Sequence, residues 1–123
     1  MSDKACCCNS SPSLIFSCSG GSDVGELSDQ VSRRLTQKGV GKMYCLAGIG
    51  GSVSGIIATT EAAEKILALD GCPLDCAKKT LEEKGFKEFI HLRMSDLGLI
   101  KGKSPVNEAN ISVVAIKAQE LLR

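Results

Sequence analysis

Seven cysteines in 123 residues pose the first chemical question. They are Cys6, Cys7, Cys8, Cys18, Cys45, Cys72 and Cys76. A thiolate is both a nucleophile and a soft-metal ligand, so this set suits thiol chemistry or a metal centre. An odd number cannot all pair within one chain. The opening residues Met1-Ser2-Asp3-Lys4-Ala5 lack the long apolar stretch of a secretory signal, so the expected compartment is cytoplasmic. Thiols stay reduced there, which disfavours a disulfide framework. Cys72 and Cys76 are four residues apart across an expected helix start and can face one way. His91, the one histidine, falls on an expected strand and reads as a structural or surface residue rather than a base.

The surrounding sequence must supply the elements that position these groups. Leu14-Ile15-Phe16 reads as a buried strand between Pro12 and Gly20-Gly21. A helix follows, with Asp23 and Glu26 as an expected capping box and Val24, Leu27, Val31 and Leu35 as its apolar stripe. Lys42 to Leu46 reads as a second strand, Gly48 to Ser52 as a glycine-rich loop and Val53 to Ala63 as a helix. Ile66 to Leu69 is a third strand. Pro73 is expected to open a helix with Leu74, Ala77 and Leu81 inward, closed by Gly85. Phe89 to Leu92 is a fourth strand. A last helix follows Ser104-Pro105, with Ile111, Val114, Ala115, Ala118 and Leu122 on one face. Strands alternating with helices predict a small three-layer, Rossmann-like α/β domain with a mostly parallel four-stranded sheet flanked by helices. The expected division is a flexible cysteine-containing tail over 1–12 and a single metal-binding domain over 13–123.

That pattern puts Cys18, Cys45 and the Cys72–Cys76 pair at the ends of three strands. In a parallel sheet all carboxyl ends lie on one edge, where such folds place their sites. The four cysteines are therefore expected to converge. A tetrahedral zinc site needs sulfurs about 2.3 Å from the metal and roughly 3.8 Å from one another. Helix N-termini at that edge favour thiolate over thiol, and the nearby glycines let backbone N–H groups approach the sulfurs. Zinc is the expected ion; an iron–sulfur cluster or another soft metal uses the same ligands. A closed four-thiolate shell leaves no position for a substrate, so no catalytic residue is assigned and the domain is expected to be non-enzymatic.

Asp70-Gly71-Cys72-Pro73-Leu74-Asp75-Cys76-Ala77-Lys78-Lys79 resembles the signature of the DGC domain family, zinc-binding proteins named for the Asp-Gly-Cys triplet. The resemblance runs over roughly residues 13 to 121. It takes in Cys18-Ser19-Gly20 and Cys45-Leu46-Ala47-Gly48-Ile49-Gly50. It implies that the family's four cysteines map to Cys18, Cys45, Cys72 and Cys76. Cys6, Cys7 and Cys8 lie outside that pattern, as a mobile tail or as an arm that passes a soft metal to or from the site.

The alternative chemistry is thiol redox or sulfur transfer, with Cys72 as nucleophile and Cys76 or Cys18 as resolving thiol. The pair has three residues between its cysteines where the thioredoxin motif has two. Val24 stands where a tyrosine-phosphatase loop needs arginine, and Leu97 where a Walker motif needs its first glycine. Fifteen Lys and Arg against fourteen Asp and Glu leave a net charge of +1, which gives no footprint for nucleic acid or anionic membrane. Apolar runs are a few residues long, as at Ile66 to Leu69, too short for a transmembrane helix.

Overall fold

The computed structural model describes residues 12–123, and the Cys6-Cys7-Cys8 cluster lies outside them. The chain runs through β1 (Ser13–Ser17), α1 (Asp23–Gln37), β2 (Lys42–Met43), α2 (Leu46–Gly50) and α3 (Ser54–Glu61). It continues with β3 (Lys65–Asp70), α4 (Cys76–Glu83), β4 (Ile90–Arg93), a short 3-10 helix (Met94–Leu97) and α5 (Glu108–Leu121). The strands pair in the order β2-β1-β3-β4, every pair parallel. The domain is a small α/β sandwich of the Rossmann-like kind, as the alternation of strands and helices predicts.

The central strands β1 and β3 are covered on both faces, their side chains alternating between two apolar layers. Ile15, Leu67, Leu69 and Leu92 join Val24 and Val31 of α1 and Val114 and Ala118 of α5 in one cluster. Leu14, Phe16, Ile66 and Ala68 form the other, with Ile49 of α2 and Ala77 and Leu81 of α4. Phe16 is fully buried and meets Tyr44 edge-on, with ring centroids 6.1 Å apart. Burying such a side chain stabilises the fold by roughly 2 to 3 kcal/mol. None of the described helices is long and apolar enough to cross a membrane.

Three local expectations are corrected. Asp23 does not cap α1; Ser22 does, its Oγ accepting from Gly25 N at 3.1 Å. The cap falls one residue early, so Gly25 sits where a capping box needs Glu. Asp23 instead accepts from Gly102 N and Ser104 N at 2.9 and 3.0 Å, which ties the loop before α5 to α1 and lowers its carboxyl pKa. The second strand stops at Met43, because Cys45 turns the chain into α2 and takes Gly48 and Gly50 out of the expected loop. Pro73 does not open α4. The helix starts at Cys76, and Leu74, expected inward, is 60% exposed.

Candidate functional site at the carboxyl edge

The strand order explains where a site can form. From β1 the chain crosses by α1 to β2 on one side, and from β3 it crosses by α4 to β4 on the other. The loops after β1 and β3 therefore part to opposite faces of the sheet. The crevice between them is the switch point at which open α/β sheets bind ligands. Cys18 follows β1, and Cys72 and Cys76 follow β3. These three line one depression of about 380 Å³, together with Gly20, Gly71 and Lys101. Cys45 lies on the far side of Cys18. The two share a larger open groove of about 940 Å³ with Met43, Tyr44 and Arg33.

All four of these cysteines are free thiols, Cys18 and Cys72 half-buried, Cys45 and Cys76 exposed. Among the described residues, no three metal-ligating atoms within 4.8 Å of one another include a cysteine sulfur. Strand order sets Cys45 apart from the Cys72–Cys76 pair. β2 and β3 are separated by β1, so their backbones lie about 10 Å apart at two strand spacings. Cys18 stands between Cys45 on one side and the Cys72–Cys76 pair on the other.

Each thiol has its own local support. Cys18 N donates to Leu69 O at 3.0 Å, which extends the β1–β3 pairing by one residue and fixes the backbone. Its Sγ lies 3.4 Å from Ser28 Oγ. Ser28 is fully buried and donates its one proton to Gly25 O at 2.7 Å, so toward Cys18 it acts as acceptor and the thiol as donor. The next residue, Ser19, holds φ at +51°, a conformation that costs an L-residue about 1 kcal/mol. Cys45 is the N-cap of α2, and its Sγ accepts from Gly48 N at 3.3 Å. That contact is one of the glycine N–H to sulfur bonds expected from sequence.

The Cys72–Cys76 turn is held differently. Asp75 adopts φ 56° and ψ 46° immediately before Cys76 and makes no side-chain cap bond to α4. The cap comes from Asp70, at the end of β3, which is only 1% exposed. Its Oδ1 accepts from Ala77 N at 2.7 Å and its Oδ2 from Lys78 N at 3.1 Å. The first-turn donors of α4 that were expected to serve thiolates are therefore spent on a carboxylate. His91 Nε2 lies 2.8 Å from Asp70 Oδ2 and 3.7 Å from Asp75 Oδ1. Arg93 grips Asp75 with both arms of its guanidinium, Nε to Oδ1 at 2.7 Å and Nη2 to Oδ2 at 2.5 Å. That hydrogen bonding holds the Asp75 carboxyl below its ordinary value, against the opposing effect of burial, and raises the Arg93 pKa.

A model of the DGC domain matches residues 14–118. The chain belongs to the DGC domain family. Over 88 residues it is 39% identical to the anaerobic and virulence modulator AnvM of Pseudomonas aeruginosa, covering 72% of this chain and 67% of that protein. No solved structure matches it significantly.

In this DGC domain each residue of the triplet Asp70-Gly71-Cys72 has a physical task. Asp70 caps α4 from the strand end. Gly71 lets the turn pass against α1, where a Cβ would stand 2.8 Å from the Val24 carbonyl carbon and 2.9 Å from its oxygen. Cys72 packs beside the apolar layer that contains α1 and opens onto the shared depression. The Asp70, Asp75 and His91 cluster escaped the sequence reading. Their ligand atoms lie within 4.8 Å of one another, as in a carboxylate–histidine metal site. Here, though, both Asp70 oxygens already accept helix N–H groups, and Arg93 fills the place of the cation against Asp75. The cluster is a closed charge network. One sequence signal for it exists: His91 and Arg93 are two apart on a strand and so share a face.

Proposed function

We propose that the carboxyl edge of this domain binds zinc, or another soft transition metal, through the thiolates of Cys18, Cys45, Cys72 and Cys76. One observation carries this reading: four free cysteines follow three neighbouring strands, and Cys18 borders both depressions that hold the others. The donor set suits a soft divalent ion chemically. Cys45 and Cys76 are exposed, whereas Cys18 and Cys72 are half-buried. Loading would therefore draw the exposed pair toward the half-buried pair and release the Cys18 proton, now shared with Ser28, to solvent. The bound ion would supply cross-linking of three strand ends, and a complete thiolate shell would leave no open position for a substrate. An iron–sulfur cluster is a variant of the same reading.

The relative is named as a modulator. Carried to this chain, that favours binding or sensing over turnover, and free thiols suit a reducing, cytoplasmic setting. A second reading rests on a separate observation, that Cys18, Cys72 and Cys76 line one crevice without Cys45. It is thiol exchange or sulfur transfer, with Cys72 as nucleophile and Cys76 or Cys18 as resolving thiol.

Metal content of protein purified without chelator, with thiol titration before and after chelation, separates the two. The metal reading expects about one ion per chain and about four thiols released by chelator. A metal-free protein with one thiol far more reactive than the rest would reject it in favour of exchange.

A further inference from the structure

The charge network on β4 has no part in the ligand set, yet it holds both ends of the segment that carries Cys72 and leads into Cys76. Asp70 opens that segment and is bound by His91; Asp75 closes it and is bound by Arg93. Strand register puts His91 beside Ala68 and Arg93 beside Asp70. Arg93 nonetheless reaches past its strand neighbour to Asp75, the residue in the left-handed conformation. Nothing else among the described side chains pairs with the Asp75 carboxylate at hydrogen-bonding distance. A simple helix cap would need only Asp70. Two further side chains from a second strand, His91 and Arg93, are more than capping requires.

We propose that His91 and Arg93 are positioning residues for the Cys72–Cys76 turn. Arg93 fixes Asp75 at positive φ by two parallel hydrogen bonds, and that angle sets the direction in which Cys76 enters α4. His91 fixes the Asp70 carboxylate while Asp70 holds Ala77 N and Lys78 N. Together they keep Cys72 and Cys76 facing the crevice shared with Cys18. The inference rests on the reading that these thiols are the functional groups of the domain. It assigns a role to residues that touch no ligand themselves.

The test is site-resolved alkylation of the metal-free full chain with iodoacetamide, each cysteine quantified by mass spectrometry and Cys45 serving as internal reference. Arg93→Gln is expected to raise the Cys72 rate about tenfold relative to Cys45, because the turn opens locally while α2 does not. Arg93→Lys keeps the charge without the fork and should restore only part of the protection, leaving about a threefold excess. His91→Ala should expose Cys72 about fivefold, and His91→Gln, which still donates to Asp70, should fall within about twofold of the parent. An unchanged ratio of Cys72 to Cys45 in Arg93→Gln would overturn the proposal. So would a rise of all four thiols by one common factor, which marks general loosening. Zinc competition on the parent protein is run alongside. Failure there rejects the metal reading, while the alkylation ratios still decide the positioning role.

Discussion

The two halves of the carboxyl edge are built on different principles. On the β3–β4 side, the Cys72–Cys76 turn is pinned by two carboxylates, a histidine and an arginine, with hydrogen bonds of 2.5 to 3.1 Å. On the β1–β2 side, Cys45 sits exposed at the start of a five-residue helix, its sulfur held by one backbone N–H. A wide groove opens beside it. The contrast teaches how a site can be fixed and adjustable at once. The Cys72–Cys76 turn is presented by a closed charge network, whereas Cys45 is held by a single backbone contact. Cys18, between them, has a rigid backbone and a sulfur whose proton is engaged by Ser28.

The sharpest way to break the comparison is at Cys72. Cys72→Ser should lower retained metal from about one ion per chain to below about a tenth, read by elemental analysis, since a hydroxyl is a poor soft-metal ligand. Asp70→Ala comes next. It strips the α4 cap and leaves His91 facing an emptied pocket, so chemical denaturation should register a loss of about 3 kcal/mol. Gly71→Ala forces a methyl group against the Val24 backbone and should cost about 2 kcal/mol by the same measurement. Cys45→Ser should separate the halves cleanly. Serine is a good N-cap, so stability should stay within about 0.5 kcal/mol of the parent while metal affinity falls.

The smallest expected effect lies away from the edge and serves as its control. Arg34 pairs in bidentate fashion with Glu108 at 2.6 and 2.7 Å and, with Ser112, brings the Glu108 carboxyl down to about 2. A depressed carboxyl stabilises the fold above its unfolded value, 4.5 for this group, and loses that contribution as pH falls toward about 2. Glu108→Gln should therefore flatten the acid side of the stability curve slightly and leave all four thiol rates unchanged. Both side chains reach solvent, so the change will be small.

Much of this architecture is legible in the sequence, for identifiable reasons. Leu14-Ile15-Phe16 and Ile66 to Leu69 are short continuous apolar runs, as strands buried on both faces must be. Val24, Leu27, Val31 and Leu35 trace a helix stripe that falls fully in the core. The positions of Cys18 and Cys72 after two strands follow from those runs, whereas Cys45 is expected inside a strand over Lys42 to Leu46 that in fact ends at Met43. What the sequence does not carry is strand order. Without it, nothing says that β1 lies between β2 and β3, or that Cys45 and Cys72 end up on opposite sides of Cys18. The Asp75 conformation is equally hidden, because aspartate tolerates positive φ without requiring it. Pro73 misled for the same reason: it looks like a helix start, but the chain needs Asp75 to turn first. His91 could be assigned only once the register of β4 was known, since its partner Asp70 belongs to another strand.

The central claim is that thiolates of this edge, and no carboxylate or imidazole, form the metal shell. X-ray absorption at the zinc edge of the loaded full chain tests it most directly. The account predicts a first shell of about four sulfurs at about 2.3 Å, falling to about three in Cys45→Ser. A shell of nitrogen and oxygen at about 2.0 to 2.1 Å would contradict it, and would move the site to Asp70, Asp75 and His91.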